Sequence, residues 1–306
     1  MTHDEIRAYL VKQNPGKSIK FIGSGSDSEA FCVDGYVYRF PHSATVLAQY
    51  KTESALCDFL RDKISVPIPQ ITIHDVAVCY AKHKMIAGKK WRWHTFIFHP
   101  IKQNNLADGI ARFFAEIHGA DIHEIETDTK QFNYVAFDDI AARIAPFLSK
   151  HAMRRFHKKY NNIVGKRVAE SNIVMCHMGL KGANSVIDND GNIVGVFDFG
   201  NTGAHERWRD FGVVYMGDNK RLYSRVLHKY EQITGMTCDR SRIADVAAIE
   251  HFSRKRWFCD DGSAIPLTDK RITKYLSEAM VRFYHMPLRF RRVLRIFMRI
   301  HKRLFN

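Results

Sequence analysis

No stretch of the chain runs through 18 apolar residues, so no membrane-spanning helix is expected. The opening MTHDEIRAYLVKQ has no basic start followed by an apolar core, so no secretory leader is expected. The six cysteines, at 32, 57, 79, 176, 238 and 259, form no CxxC. They read as reduced core thiols of a cytoplasmic protein, not as a disulfide frame or a zinc site. Internal repeats and low-complexity stretches are missing too. Acids are scarce: 32 Asp and Glu stand against 47 Lys and Arg, a net charge of +15. The deficit is deepest from Arg282 onward, where eight bases meet no acid. What is present is ordinary for a globular chain. Its 306 residues, 45% hydrophobic and 12% aromatic, suffice for one large domain or for two lobes, each with a core.

The order of elements follows from periodicity. Residues 3–14 read as a short helix stopped by Asn14-Pro15-Gly16. SIKFIGSGSDSEAFCVDGYVYRF reads as strand, Gly/Ser loop, strand, tight turn at Asp34-Gly35, and strand. Apolar spacing over 45–62 predicts a helix, VPIPQITI from Val66 a strand entered past prolines, and LADGIARFFAEIHG (106–119) a strongly periodic helix closed by glycine. A strand-rich N-terminal lobe over 1–86 and a helical lobe over 87–306 are expected. This is an α+β chain in the two-lobed order of a protein kinase.

Two short strings carry the chemistry. CHMGLKGANSVID (176–188) has a His, then a Leu, then an Asn four positions on; VFDFG (196–200) follows it. A kinase catalytic loop reads His-x-Asp-Leu-x-x-x-Asn, with DFG after it. Phosphoryl transfer needs a backbone loop over the phosphates, a cation fixed by an acid, oxygen ligands for magnesium, and a group facing the acceptor hydroxyl. Gly23, Ser24, Gly25 and Ser26 lie between two strands, where such a loop belongs, although a plain turn would read the same. Arg39 in YVYRFP and Glu53 in the next helix could pair, or could be two solvated charges. Asn184 and Asp198 are hard oxygen donors suited to magnesium. A plain β-hairpin turning at Asp190-Gly191 would also explain their spacing. His177 reads as a brace for its loop.

Together IGSGSDSEAF, YVYRFP, KTESALCDFL, VPIPQI, IARFFAEIHG, CHMGLKGANSVID and GVFDFGNTGAHERWRDF give the chain a resemblance to the aminoglycoside phosphotransferases, nearest their 2''-phosphotransferase pattern, over about residues 18–215. The resemblance implies a kinase-like fold, ATP or GTP as donor, magnesium, and a purine near Lys84, Met85 and Ile86. Three departures stand out. Gly179 occupies the position of the catalytic Asp, and Lys181, the nearest ionisable residue of the loop, is a poor base. Arg39 replaces the strand lysine. The run GVVYMGDNKRLYSR after Asp210-Phe211 holds one acid, Asp218, against three bases, where the resemblance implies an acidic acceptor face. A non-cationic small-molecule acceptor is therefore expected.

Loss of the base leaves two readings: a phosphotransferase of weak or unorthodox activity, or a pseudokinase that binds nucleotide and regulates a partner. A helix over 288–305 would place Phe290, Val293, Leu294, Phe297, Ile300 and Leu304 opposite six bases. Such a face packs on its own lobe, or docks on an anionic membrane surface or a protein partner. Nucleic acid is disfavoured, since no binding motif accompanies the charge.

Overall fold

The computed structural model describes residues 1–25, 27–125, 134, 136–144, 150–217 and 219–255. Ser26, Asp218 and the helix expected over 288–305 lie outside the described residues. The elements run α1 (His3–Gln13), β1 (Ile19–Ser24), β2 (Ser28–Val33), β3 (Tyr36–Pro41), α2 (Ala44–Leu60), β4 (Thr72–His74), β5 (Tyr80–Lys84) and α3 (Pro100–Gly119). They continue with α4 (Phe137–Ile144), α5 (Lys150–Val164), β6 (Ile173–Cys176), β7 (Ser185–Ile187), β8 (Ile193–Val196) and β9 (Gly203–Glu206). The helices α6 (Trp208–Met216), α7 (Lys220–Thr234) and α8 (Arg240–Lys255) complete them. Among the described residues no helix is long and apolar enough to cross a membrane.

The chain divides into two compact units, Met1–Phe132 with Ala169–Asp239, and Asn133–Val168 with the remainder from Arg240. The lobe boundary expected near residue 86 falls inside the first unit, between β5 and α3. The second unit contains α4, α5 and α8, and there Arg242 Nη1 donates to the Ile163 carbonyl at 2.7 Å.

In the first unit a five-stranded antiparallel sheet has the order β1-β2-β3-β5-β4. The β2–β3 turn is Asp34-Gly35, with φ of 51° and 76°. Two consecutive positive φ values match the twist of a two-residue hairpin, which favours an Asp-Gly pair. Ile6 and Leu10 of α1 bury against Phe31, Val33, Tyr38 and Phe40. Each such side chain contributes about 1.5–3 kcal/mol by leaving water. The helical part centres on α3, whose Leu106, Ile110, Phe113, Phe114 and Ile117 are all buried at helical spacing. It packs against α7, which buries Leu222, Val226, Leu227 and Tyr230. Two short antiparallel pairs, β6–β9 and the hairpin β7–β8, hold the loops that carry CHMGLKGANSVID and VFDFG.

Candidate functional site

Arg39 lies at the centre of the sheet, opposite Ala30 on β2 and Ala81 on β5. Glu53 lies on α2 with 1% of its side chain exposed. Their contact is bidentate: Arg39 Nη1 donates to Glu53 Oε1 at 3.0 Å and Nη2 to Oε2 at 2.6 Å. The Tyr50 ring lies 4.3 Å from the guanidinium. Burial opposes the charge of Glu53, but Arg39 outweighs it and, with the Phe199 amide, holds the carboxyl below its ordinary value. The same pairing lifts the guanidinium above its own despite burial. Glu53 Oε1 also accepts from the Phe199 amide at 3.1 Å. One carboxylate thus fixes the strand cation and the loop that carries Asp198.

The β6–β7 loop is built from behind by Asp210 of α6. Its two carboxylate oxygens accept the His177 amide at 2.9 Å and the Met178 amide at 2.6 Å. These bonds hold Met178 at φ 62°, a conformation that costs on the order of 1–2 kcal/mol for a side-chain-bearing residue. Arg207 donates to the Tyr230 hydroxyl at 2.7 Å, that hydroxyl lies 2.9 Å from His118 Nδ1, and His118 Nε2 lies 3.3 Å from Asp210. Burial above all keeps His118 below its ordinary pKa, so its contact with Asp210 is a neutral hydrogen bond and not an ion pair. Burial likewise opposes the charge of Asp210, yet His118, His177 and the amides together hold its carboxyl below the usual range. His118, Cys176 and Asp210 also lie together as potential metal ligands. Burial pushes the Cys176 thiol up and both Asp210 oxygens are engaged, so the cluster reads as a hydrogen-bonded core.

His177 is fully buried, edge-on to Phe113 and Phe199 at centroid distances of 5.5 and 4.8 Å. Its Nδ1 accepts the Gly179 amide at 3.1 Å, so the ring braces the loop as a neutral imidazole. Asn184 Nδ2 donates to the Gly179 carbonyl at 3.0 Å, and the Asn184 carbonyl accepts the Phe197 amide at 2.9 Å. Asp198 follows at φ 71°, exposed along the loop with its carboxyl set among protein atoms. The protein crowded around it, and then the charge of Glu53, push its carboxyl above the ordinary value; His177, Arg39 and Lys181 pull the other way.

At Gly179 the fold offers backbone and nothing more. A Cβ there would lie 3.2 Å from Asn184 Nδ2 and 3.5 Å from the His177 ring. Its φ is not left-handed, so a larger residue meets one snug, movable contact. In the Gly-rich loop, a Cβ on Gly23 would meet nothing within 4 Å, and the Gly25 amide donates to the Ser28 carbonyl at 2.9 Å. Past Ser24 the chain turns back into β2. Lys84 ends β5, and Met85 and Ile86 follow it. The Met85 amide donates to the Gly35 carbonyl at 2.8 Å, so that N–H is already engaged.

The donor set fits magnesium. Asn184 commits its amide nitrogen to Gly179, which leaves Oδ1 for another partner. Asp198 is a carboxylate whose charge is disfavoured by its surroundings and would be relieved by a cation. The sequence alone gives Asp210 no role, because its partners lie 32 and 33 residues away. Asp188 shapes the hairpin turn by accepting the Asp190 and Asn192 amides. An Asp two residues before another turn residue is the recognisable signal for it.

A sheet-borne cation tied to a helix acid, above a His-braced loop and a DFG loop, is the arrangement of a kinase-like phosphotransferase. The chain belongs to the phosphotransferase enzyme family, which matches residues 18–240. Solved structures share the fold. The ADP-bound aminoglycoside phosphotransferase APH(2'')-Ib is 19% identical, with a TM-score of 0.65 over 92% of this chain and 99% of its own. The GDP complex of aminoglycoside 2'-phosphotransferase-IIIa is 14% identical, with a TM-score of 0.73 over 90% of this chain and 98% of its own. Macrolide 2'-phosphotransferase MphH from Brachybacterium faecium, as apoenzyme, is 12% identical, with a TM-score of 0.65 over 90% and 98%.

Proposed function

We propose that the protein binds a magnesium–nucleoside triphosphate, ATP or GTP, and transfers its terminal phosphoryl group slowly to a small, non-cationic hydroxyl compound. The observation that carries this is Glu53. It holds Arg39 bidentately and, through the Phe199 amide, holds the Asp198 loop, so the parts that grip a nucleotide are assembled around one buried carboxylate. Arg39 would take the α- and β-phosphates, and the backbone at Gly23, Ser24, Gly25 and Ser26 would cover them. Asn184 and Asp198 would hold magnesium, which supplies charge neutralisation at the phosphate oxygens. The purine would lie against the stretch Lys84–Ile86, with the Met85 amide already satisfied.

Gly179 supplies no proton acceptor, and Lys181 next to it adds positive charge where a base is wanted. General-base loss costs about 10²–10⁴ in rate, and a loose transition state tolerates that loss better than most. The same residue favours a second reading, a pseudokinase in which nucleotide binding itself is the function. Asp198→Ala tests the part common to both. Magnesium-dependent ATP binding, measured by calorimetry, is expected to weaken at least a hundredfold. Unchanged binding in the folded variant would reject Asp198 as the magnesium ligand, and no binding by the native chain would reject both readings in favour of a scaffold that uses no nucleotide.

A further inference from the structure

We infer that the acceptor carries an anionic group, a phosphate or a carboxylate, and that Lys90 and Arg92 receive it. The inference rests on the phosphotransferase reading above and concerns the other substrate.

Between Asp75 and Asp108 the chain has no acid at all, while Lys82, Lys84, Lys89, Lys90, Arg92 and Lys102 all fall in that interval. The middle of the interval is pinned across the catalytic loop. Trp91 is 3% exposed, and its indole N–H donates to Ser185 Oγ at 2.9 Å. That hydroxyl donates in turn to the Lys181 carbonyl at 2.9 Å. The Trp91 carbonyl presses on Gly182 so closely that a Cβ there would come within 1.8 Å of it. Trp93 meets Trp91 edge-on at 4.9 Å and covers Gly217, where a Cβ would lie 2.3 Å from the indole. The Trp93 carbonyl also accepts from Asn219, the cap of α7. Two tryptophans and two glycines therefore fix a strap from the loop that holds Gly179 to the start of α7.

The charged residues of this strap stay outside. Lys90 and Arg92 are exposed, as are Lys220 and Arg221 at the α7 end. Lys89 and Lys102 bond to Asn189 of the β7–β8 turn and are already engaged. Among the described residues, Lys90, Arg92, Lys220 and Arg221 make no ion pair. The acids of the site have other tasks: Glu53 holds Arg39, Asp210 holds the loop amides, and Asp198 is the magnesium ligand of the reading above. Asp218 is the one acid in the run from Gly212 to Arg225 and lies outside the described residues. Unpaired cations on a rigid strap beside the transfer site attract an anion and repel a cation. A side-chain carboxylate at 179 would repel the same anion, so its replacement by glycine suits an anionic acceptor.

The test uses the full chain saturated with magnesium and a non-hydrolysable ATP analogue, with tryptophan fluorescence as readout. The probes are glycerol, glycerol 3-phosphate, glycerate and kanamycin. At least one of the two anionic probes is expected to bind about tenfold or more tightly than glycerol, as one charge-assisted contact allows. Which of them binds tells phosphate from carboxylate. Lys90→Ala with Arg92→Ala should remove the preference and leave analogue binding unchanged. Equal binding of neutral and anionic probes, tighter binding of kanamycin, or a preference that survives the double substitution would each overturn the inference while the nucleotide reading stands. Failure of the analogue itself to bind would overturn the nucleotide reading, and the acceptor inference with it.

Discussion

The two halves of the proposed transfer site differ in how completely they are built. On the nucleotide side the strand cation and the helix acid fix each other. Arg39 is held twice by Glu53, Glu53 also holds the Phe199 amide, and Asn184 ties Gly179 to the Phe197 strand end. On the acceptor side the loop is held as firmly from behind, by Asp210 and the chain Arg207–Tyr230–His118. Yet the position it presents, Gly179, carries no functional group. A loop that had simply decayed would have no need of a buried carboxylate organising two of its amides at the expense of a left-handed Met178. On the proposed reading the scaffold for a base is retained while the base is absent, which would separate binding from proton transfer within one site.

Removing the nucleotide-side carboxylate should have the largest effect on stability. Glu53→Ala leaves the Arg39 charge without a partner and orphans the Phe199 amide. The loss expected is about 3–5 kcal/mol, read by chemical denaturation. A loss below about 1 kcal/mol would show that the pair is not the keystone described here, and would erase the contrast between the two sides.

A smaller effect concerns pH. His83, His118 and His177 are all held below their ordinary value, chiefly by burial. The folded chain therefore refuses protons that the unfolded chain accepts below about pH 6.5. The stability these residues contribute is complete above that value and declines as the pH falls through the lowered folded-state values. Denaturation midpoints measured from pH 7.5 down to 5.5 should fall steadily. A midpoint that rises over the same range would mean that the loop-bracing histidines are charged in the fold, against the neutral His177 and His118 assigned to the acceptor side.

Much of this was legible in the sequence because it is local. The Asp34-Gly35 turn, the β7–β8 hairpin and α1 follow from two- and four-residue rules. The helix expected at 106–119 begins six residues earlier, at Pro100. Proline fits a first turn, but the polar stretch after it carries no apolar period to announce a helix. Arg39 and Glu53 were visible as a pair of charges at a suitable spacing, while their burial, which decides between an ion pair and two solvated residues, is a property of the packed fold. Asp210 and the tryptophan strap were not legible. Their partners are 32 to 126 residues away, and no periodicity links a helix acid to the amides of a distant loop.

The most direct test of the central claim is magnesium-dependent ATP turnover by the native chain beside Gly179→Asp, with ATP affinity measured on both. The contact at 3.2 Å to the Asn184 side chain requires that side chain, which bonds the Gly179 carbonyl, to give by a few tenths of an ångström. The account predicts unchanged affinity and a turnover raised by about 10²-fold or more in the variant. Equal turnover at equal affinity would contradict it, because the site would then lack more than its base.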